Sequence, residues 1–324
     1  MYIDDHVHCR DEEESDKETI AHALLVAEDS GVDAIFDQPN TKRPVISFKR
    51  VLERFVLAEA ARSPVIYATH VGVTSDFYQI EEAVTCTREL SLRGLMEKGR
   101  RVGVPGLKMF AGKSVGDLSV SDSQQQLEVY ETLTRLGYEG VLVVHCEKES
   151  EMHPELWNPQ SPISHCYARP GKAELESVRD QIKFATETGF RGHLHIAHVS
   201  HPDTALLVNL AKSQMRISMG FTPHHLLLNY EIMNGENGIL YKVNPPLRSR
   251  KEQEQLSSFL FDVLETDHAP HTLEDKTERY MSGIPGLASW PDFVSILERL
   301  VRHREVLHAV SFVNINKIYG LNIP

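Results

Sequence analysis

The chain has 324 residues, and its 41% hydrophobic and 25% charged residues are typical of an ordinary globular protein. With 34 basic and 46 acidic residues the formal net charge is −12, which argues against nonspecific nucleic-acid binding and attachment to an anionic membrane. No apolar run approaches the ~20 residues of a membrane span, and the N-terminus lacks a secretory pattern. We expect a reduced, cytoplasmic protein, because its four cysteines are scattered: Cys9, Cys86, Cys146 and Cys166.

Helical stretches that end in glycine alternate with short β-rich runs along the chain. The first predicted helix covers residues 15–30, with Ser15 and Glu18 at capping-box spacing and Gly31 as its stop. Further helices are predicted over residues 124–136 and 172–188, from apolar residues that recur on one face. Eight strands are predicted in succession: residues 2–8, 32–38, 65–73, 104–110, 141–146, 193–199, 216–222 and 261–266.

This alternation predicts right-handed βαβ units and a parallel sheet. Eight units favour an α/β fold of the (β/α)8 TIM-barrel type, with residues 1–324 as a single domain. A doubly wound open sheet is the alternative, which a strand count alone does not exclude. The segment 148–171 is predicted to be a long functional loop.

Polar residues cluster where the predicted strands end, which is the rim that carries the active sites of such barrels. His6 and His8 share one face of the first strand, so that their imidazoles could bind one cation. Asp4 has the same parity and is a candidate to orient the His6 ring. A solvated acidic N-terminus is the alternative interpretation.

Four other strand-end residues are candidates for chemistry. His145 and His198 could be metal ligands, although a lone strand-end histidine is more often a hydrogen-bonded core residue; His195 is interpreted as packed inside the barrel. Asp267 could be a metal ligand, a general base or the N-cap of a turn. Lys108 lies in an apolar strand, where a neutral amine could add carbon dioxide and bridge two metals, or pair with a carboxylate.

Other catalytic patterns do not occur in the sequence. There is no GxSxG elbow, CxxC pair, P-loop or GxGxxG fingerprint. Nucleophilic serine or cysteine chemistry and nicotinamide chemistry therefore have no support.

In order along nearly the whole chain, the motifs DDHVHCR, QPNT, GLKMFAGKS, HCE, HIAHVS, TPHHL, NPPLR, TDHAPHT and GIPG resemble the dihydroorotase family, in the cyclic amidohydrolase branch of the amidohydrolase superfamily. The resemblance implies a (β/α)8 barrel with two divalent metal ions, usually Zn²⁺. It makes His6, His8 and Asp267 ligands of one metal, and His145 and His198 ligands of the other. It also implies a carboxylated Lys108 as the bridge, a bridging hydroxide, and Asp267 as the general acid/base.

The resemblance also implies a substrate and a reaction: reversible cyclisation of N-carbamoyl-L-aspartate to L-dihydroorotate in de novo pyrimidine biosynthesis. Arg10, Asn40 and His271 match positions that hold the ring carboxylate in this family, and a guanidinium suits that role. Asn244 and the backbone around Leu226 would contact the pyrimidine ring. The loop 111–119, which contains Gly112 and Gly116, is predicted to close over the substrate.

Three departures and two alternatives accompany the resemblance. The accessory β-sandwich of many relatives is expected to be missing, DEEESD replaces the usual Glu-Pro-Gly, and GLKMFAGKS is similar to hydantoinase-like members. The alternatives are another cyclic amidase (dihydropyrimidinase, hydantoinase or allantoinase) and a noncatalytic scaffold for aspartate transcarbamoylase. A homodimer, and association with aspartate transcarbamoylase, are possibilities that the family suggests.

Overall fold

The computed structural model describes residues 1–92, 101–113, 118–292, 294–295 and 304–323. Within them, parallel strands alternate with helices, which confirms the predicted α/β class. The strands are β1 (Ile3–Val7), β2 (Ala34–Asp37), β3 (Ile66–Thr69), β4 (Val71–Gly72), β5 (Val102–Gly103), β6 (Gly106–Ala111), β7 (Val141–Cys146), β8 (His193–Ile196), β9 (Ile217–Phe221) and β10 (Val263–Leu264).

The helices follow the strands in the order that βαβ units require. They are α1 (Ile20–Asp29), α2 (Phe48–Ala60), α3 (Phe77–Glu89), α4 (Ser123–Arg135), α5 (Ser164–Ala168), α6 (Gly171–Thr188), α7 (Pro202–Ala211), α8 (Pro223–Leu227), α9 (Arg250–Leu256), α10 (Leu273–Thr277), α11 (Arg304–His308) and α12 (Asn314–Tyr319). A π-helical turn, Ala309–Val313, joins the last two. No helix among the described residues is both long and apolar enough to cross a membrane.

The strands form two parallel sheets. One has the order β1-β2-β3-β5 and the other β10-β9-β8-β7-β6-β4. His70 alone separates β3 from β4, so the chain passes there from the first sheet to the second. On the far side, Val7 forms an isolated parallel bridge with His268, which follows β10. The strands' carboxyl ends therefore meet on one side of the molecule.

Two predicted strands are interrupted. The predicted strand 65–73 contains both β3 and β4, and the predicted strand 104–110 misses β5 and begins before β6. Pro105 lies between β5 and β6 and has no N–H to donate to a ladder, which explains the break.

The first predicted helix begins too early. Thr19, not Ser15, caps α1, and its side chain accepts a hydrogen bond from the backbone N–H of His22. The Glu18 carboxylate instead contacts His268 Nε2 at 2.9 Å, so the spacing that suggested a capping box serves a tertiary contact. The helices predicted near α4 and α6 are confirmed, and Gly189 ends α6 in the left-handed conformation with φ of 68°.

The π-helical turn and α12 complete the core around the strands. Phe312, Ile315 and Tyr319 are buried in one apolar cluster with Ile3 of β1 and Phe36 of β2. The Tyr319 ring lies 5.1 Å from that of Phe36, edge to face.

The sequence predicts two functional loops, residues 148–171 and residues 111–119, and the structure describes the first completely and the second only in part. The segment 148–171 contains two 3₁₀ turns, Glu149–Glu151 and Pro154–Leu156, and the short helix α5. Of the predicted closing loop 111–119, residues 114–117 lie outside the described residues, so its closure stays a prediction.

Candidate active site

Six side chains with metal-ligand chemistry lie near the carboxyl ends of the strands. His6 and His8 come from β1 and the residue after it, Lys108 from β6 and His145 from β7, while His198 and Asp267 follow β8 and β10. All six are buried. His198 and Asp267 have positive φ angles, 40° and 49°, so the chain turns sharply at these positions.

The first cluster joins His6, His8 and Asp267. An oxygen of Asp267 lies 3.1 Å from His8 Nε2 and 3.6 Å from His6 Nε2, although about 260 residues separate them in sequence. Burial holds the pKa of each of these two histidines well below its usual range. The imidazoles are therefore neutral, which is the form that binds a cation.

The second cluster pairs His145 with His198. Their Nδ1 and Nε2 atoms, respectively, lie 3.1 Å apart. The other ring nitrogen of His145 lies 3.0 Å from a carboxylate oxygen of Glu147, which in turn accepts hydrogen bonds from Arg169. A carboxylate behind a ligating histidine fixes the orientation of its ring. Glu147 and Arg169 were missed in the sequence, although Glu147 is the last residue of the HCE motif.

Lys108 has no hydrogen-bond partner for its Nζ atom among the described residues, although it is fully buried. Its ammonium group lies 5.0 Å from the centre of the Phe110 ring. Burial lowers the pKa of Lys108 to about 8. A buried amine without an acceptor is costly, so this group calls for a chemical partner that the described side chains do not supply.

These donors fit divalent cations. Neutral imidazoles and a carboxylate are common ligands of Zn²⁺, and the ligating atoms of His6, His8 and Asp267 lie within 4.8 Å of one another. The unpartnered Nζ of Lys108 and Nδ1 of His198 are buried polar atoms of the same site.

Asp267 also has the environment of a group that exchanges protons. Burial raises its pKa to about 6, nearer to neutrality than that of an exposed aspartate. His224 is buried, opposes that rise in pKa, and has an Nε2 atom without a hydrogen-bond partner among the described residues. Sequence analysis assigned no role to His224.

Three of the predicted substrate residues share a cavity with five of these ligands, whereas His271 contacts Arg10 and is not among the described residues that line the cavity. Arg10, Asn40 and Asn244 line it together with His6, His8, His145, His198 and Asp267. Arg10 donates to the carbonyl of Pro270 from Nε, and its Nη2 lies 3.2 Å from His271 Nε2. Arg10 forms no ion pair with a carboxylate of the described residues, although it is only 2% exposed.

Two predicted contacts differ in the structure. Leu226 does not line this cavity within the described chain; its carbonyl accepts from Gln253 and Ser257, and its N–H donates to the carbonyl of Thr222. The prediction for Asp4 was wrong, because its carboxylate accepts from the N–H and hydroxyl of Thr266 and the N–H of His6. With its acceptors used in this way, Asp4 ties β1 to the end of β10 and does not orient the His6 ring.

The carboxylate beside the His6 ring belongs to Glu265, which the sequence interpretation missed. An oxygen of Glu265 lies 3.5 Å from His6 Nδ1. Glu265 forms a second buried cluster with Asp5 and His195. The only sequence signal for it is a glutamate at the end of an apolar strand, two residues before Asp267.

Comparisons with known proteins agree with this geometry. No family model matches the chain. A curated dihydroorotase from Archaeoglobus fulgidus is 33% identical over 305 residues, 92% of this chain and 66% of that protein. The L-hydantoinase (dihydropyrimidinase) of Arthrobacter aurescens superposes with a TM-score of 0.82 at 22% identity, over 98% of this chain and 70% of that one. Dihydroorotase from Saccharomyces cerevisiae, solved with 5-fluoroorotic acid, gives 0.77 at 15% identity, over 99% of this chain and 84% of that one.

The fold and the buried His–Asp–Lys site together define a member of the cyclic amidohydrolases. Within that class, the identity to curated relatives over most of the chain is decisive. The chain belongs to the dihydroorotase family. It spans 59–66% of the length of the first three curated relatives.

Proposed function

We propose that this chain is a dihydroorotase: a hydrolase that opens the ring of L-dihydroorotate with water to give N-carbamoyl-L-aspartate, and catalyses the reverse ring closure in pyrimidine biosynthesis. The observation that carries the proposal is Arg10, a buried guanidinium on the wall of the cavity without a carboxylate partner among the described residues. A buried cation beside a hydrolytic site favours an anionic substrate.

We assign the two cation sites to the clusters described above. His6, His8 and Asp267 would hold one ion, His145 and His198 the other, and Lys108 would contribute to both. The ions, which the family resemblance implies to be Zn²⁺, would supply Lewis acidity and a lower pKa for water. Carboxylation of the neutral amine of Lys108 would form an N–C bond between Nζ and CO₂ and release one proton to solvent, which would convert the unpartnered amine into an anionic ligand.

Asp267 would move the proton in the reaction. In the hydrolytic direction, water adds to the ring amide carbonyl, and a carboxylate oxygen of Asp267 takes the proton that this water loses. When the C–N bond breaks, the same oxygen gives the proton to the departing ring nitrogen. Ring closure reverses these steps. The pKa of about 6 suits a group that must both accept and return a proton near neutral pH.

Arg10, His271 and Asn40 would bind the ring carboxylate. The guanidinium offers two parallel donors to a carboxylate, and Asn40 adds an amide donor next to His8, with which it shares a hydrogen bond. The global charge of −12 repels an anion, so this local positive charge must outweigh it. Asn244, which lines the same cavity, would contact the ring.

The second candidate is a cyclic amidase for an uncharged ring, which the hydantoinase-like fold favours. Arg10 opposes it, because hydantoin and dihydrouracil carry no carboxylate to pair with the guanidinium. The presence of every expected ligand likewise opposes a noncatalytic scaffold.

Further proposals concern the fold, the cellular location and the partners of the protein. We propose that the two sheets close into one (β/α)8 barrel across the Val7–His268 bridge, as a single domain. We also propose a cytoplasmic location, which the four buried, unpaired cysteines support. Homodimerisation and association with aspartate transcarbamoylase stay predictions of the family resemblance.

The test is a ring-opening assay of purified protein supplied with Zn²⁺ and bicarbonate, followed by proton NMR. We expect L-dihydroorotate to convert to N-carbamoyl-L-aspartate, and the rate to vanish after chelation and in Asp267→Asn. No conversion by protein with two ions bound would overturn the proposed function.

A further inference from the structure

Glu265 contacts ligands from both proposed cation sites. Its Oε2 atom lies 3.5 Å from Nδ1 of His6, on the side of the ring opposite the nitrogen that faces Asp267. Its Oε1 atom accepts a hydrogen bond from the backbone N–H of His198. One fully buried carboxylate therefore touches a ligand of the first cluster and a ligand of the second.

The contact with His198 stabilises an unfavourable backbone conformation. His198 has a φ of 40°, in the left-handed region that residues with a side chain rarely adopt. The hydrogen bond from its N–H to Glu265 offsets part of the cost of this conformation. It also holds the turn that carries the imidazole ring into the site. The ring of His6 likewise needs an acceptor at Nδ1 if Nε2 is to face a cation.

Neighbouring residues of β8 and β9 hold the Glu265 side chain in place. Nε2 of His195 lies 3.4 Å from Oε2 of Glu265, and Nδ1 of His195 lies 2.8 Å from the hydroxyl of Ser218. Gly220 provides the space for the carboxylate, because a Cβ atom there would lie 2.2 Å from Oε1 of Glu265. The side chain thus occupies a fitted position with no room for another residue type at 220.

We infer that Glu265 is a positioning residue that orients the His6 ring and the His198 backbone together, and so fixes the two cation sites relative to each other. The inference rests on the proposed function only in taking His6 and His198 as ligands. It assigns no contact between Glu265 and the substrate.

The experiment compares Glu265→Gln and Gly220→Ala with the parent protein. The first variant removes the charge at nearly the same shape, and the second displaces the carboxylate while leaving Glu265 in the chain. Gly235→Ala is the matched control, because a Cβ atom there would make only an ordinary contact, 3.4 Å from the carbonyl of Ile232. The readouts are Zn²⁺ affinity by chelator competition, ions bound per chain, and the visible spectrum of the Co²⁺-loaded protein.

We expect both variants to bind two ions with roughly 10- to 100-fold lower affinity and an altered Co²⁺ spectrum, while Gly235→Ala matches the parent. Parent-like affinity and spectrum in both variants would overturn the inference. Three ions in the parent and two in Glu265→Gln would also overturn it, since Glu265 would then ligate a further ion with Asp5 and His195.

Two further outcomes separate this inference from the proposed function. If the parent binds no ions, the proposed function fails as well. If the parent binds two ions and the variants do too with equal strength, only the role of Glu265 fails. Should Glu265→Gln not fold, as judged by circular dichroism, Gly220→Ala decides the question by the same readouts.

Discussion

Arg10 Nη2 and His271 Nε2 lie 3.2 Å apart at the cavity, although 261 positions separate the two residues in the chain. The guanidinium has only donors, so Nε2 can accept from it; the same nitrogen also lies 3.0 Å from the carbonyl of Ser282, which can only accept, and the ring tautomer selects between the two bonds. Burial lowers the pKa of His271 to about 3, which keeps the ring neutral beside the cation. Residues that are distant in the chain thus meet to orient the guanidinium of Arg10.

Removal of the His271 ring should weaken substrate binding more than chemistry. In His271→Ala we expect KM for L-dihydroorotate to rise by roughly 3- to 10-fold, the effect of one lost hydrogen bond that orients Arg10, with kcat little changed. Steady-state kinetics measure both constants. The control is His308→Ala, a histidine exposed on the last helices. A fall in kcat at unchanged KM would contradict the assignment of His271 to substrate binding.

Carboxylation should distinguish Lys108 from the other buried lysine near the site. Protein reconstituted with Zn²⁺ and ¹³C-bicarbonate should show a carbamate signal by ¹³C NMR that is lost in Lys108→Met, because Lys108 Nζ has no acceptor among the described residues. Lys276 is the matched control: it is also buried, but donates to the carbonyls of Lys242 and Gly283. A signal that persists in Lys108→Met and disappears in Lys276→Met would place the modification elsewhere.

Glu147 should matter for one cation and not the other. Burial alone would raise its pKa, but Arg169 and His145 hold the pKa of this carboxyl well below its usual range. In Glu147→Gln the His145 ring loses its charged partner, so we expect one ion to bind roughly 10- to 100-fold more weakly and the other normally. Chelator titration resolves the two steps. Equal weakening of both ions would show that Glu147 acts on the whole fold.

The buried carboxyl of Asp5 should make the metal-free protein less stable at higher pH. Burial raises the pKa of Asp5 from its ordinary 3.8 to about 8. A carboxyl whose pKa is higher in the folded state contributes stability that is complete below pH 3.8 and is lost as the pH rises through about 8.

Asp5→Asn removes this titration and keeps an acceptor for the Tyr319 hydroxyl, which lies 3.2 Å from Asp5. Urea unfolding in the presence of chelator should therefore show the variant gaining free energy of unfolding relative to the parent between pH 4 and pH 8. A difference that is independent of pH would mean that Asp5 is ionised in the folded chain throughout this range.

Much of the site could be predicted because its side chains stand at strand ends. Strand parity identified His6 and His8, and the position after an apolar run identified His145 and Asp267. Parallel strands bring their carboxyl ends to one side, which is why such residues converge despite their distance in sequence.

The supporting residues could not be predicted in the same way. Glu265 and Glu147 are each two residues from a proposed ligand, but their partners come from other strands and loops, which no local pattern encodes. Ser15 and Glu18 illustrate the opposite case, in which a local pattern was present but did not form the predicted structure. Their spacing fits a capping box, but the Glu18 carboxylate contacts His268 instead. The local sequence pattern predicted which segments form strands and helices, whereas tertiary contacts determined the residues at which they begin and end.

The most direct test of the account compares two substrates that differ only in the ring carboxylate. We would measure kcat/KM for L-dihydroorotate and for dihydrouracil with metal-loaded parent protein and with Arg10→Ala. We predict that the parent has a much higher kcat/KM for L-dihydroorotate than for dihydrouracil. In Arg10→Ala, kcat/KM for L-dihydroorotate should fall by roughly 10- to 100-fold, while kcat/KM for dihydrouracil should not fall. Preference of the parent for dihydrouracil, or an unchanged preference in Arg10→Ala, would contradict the account.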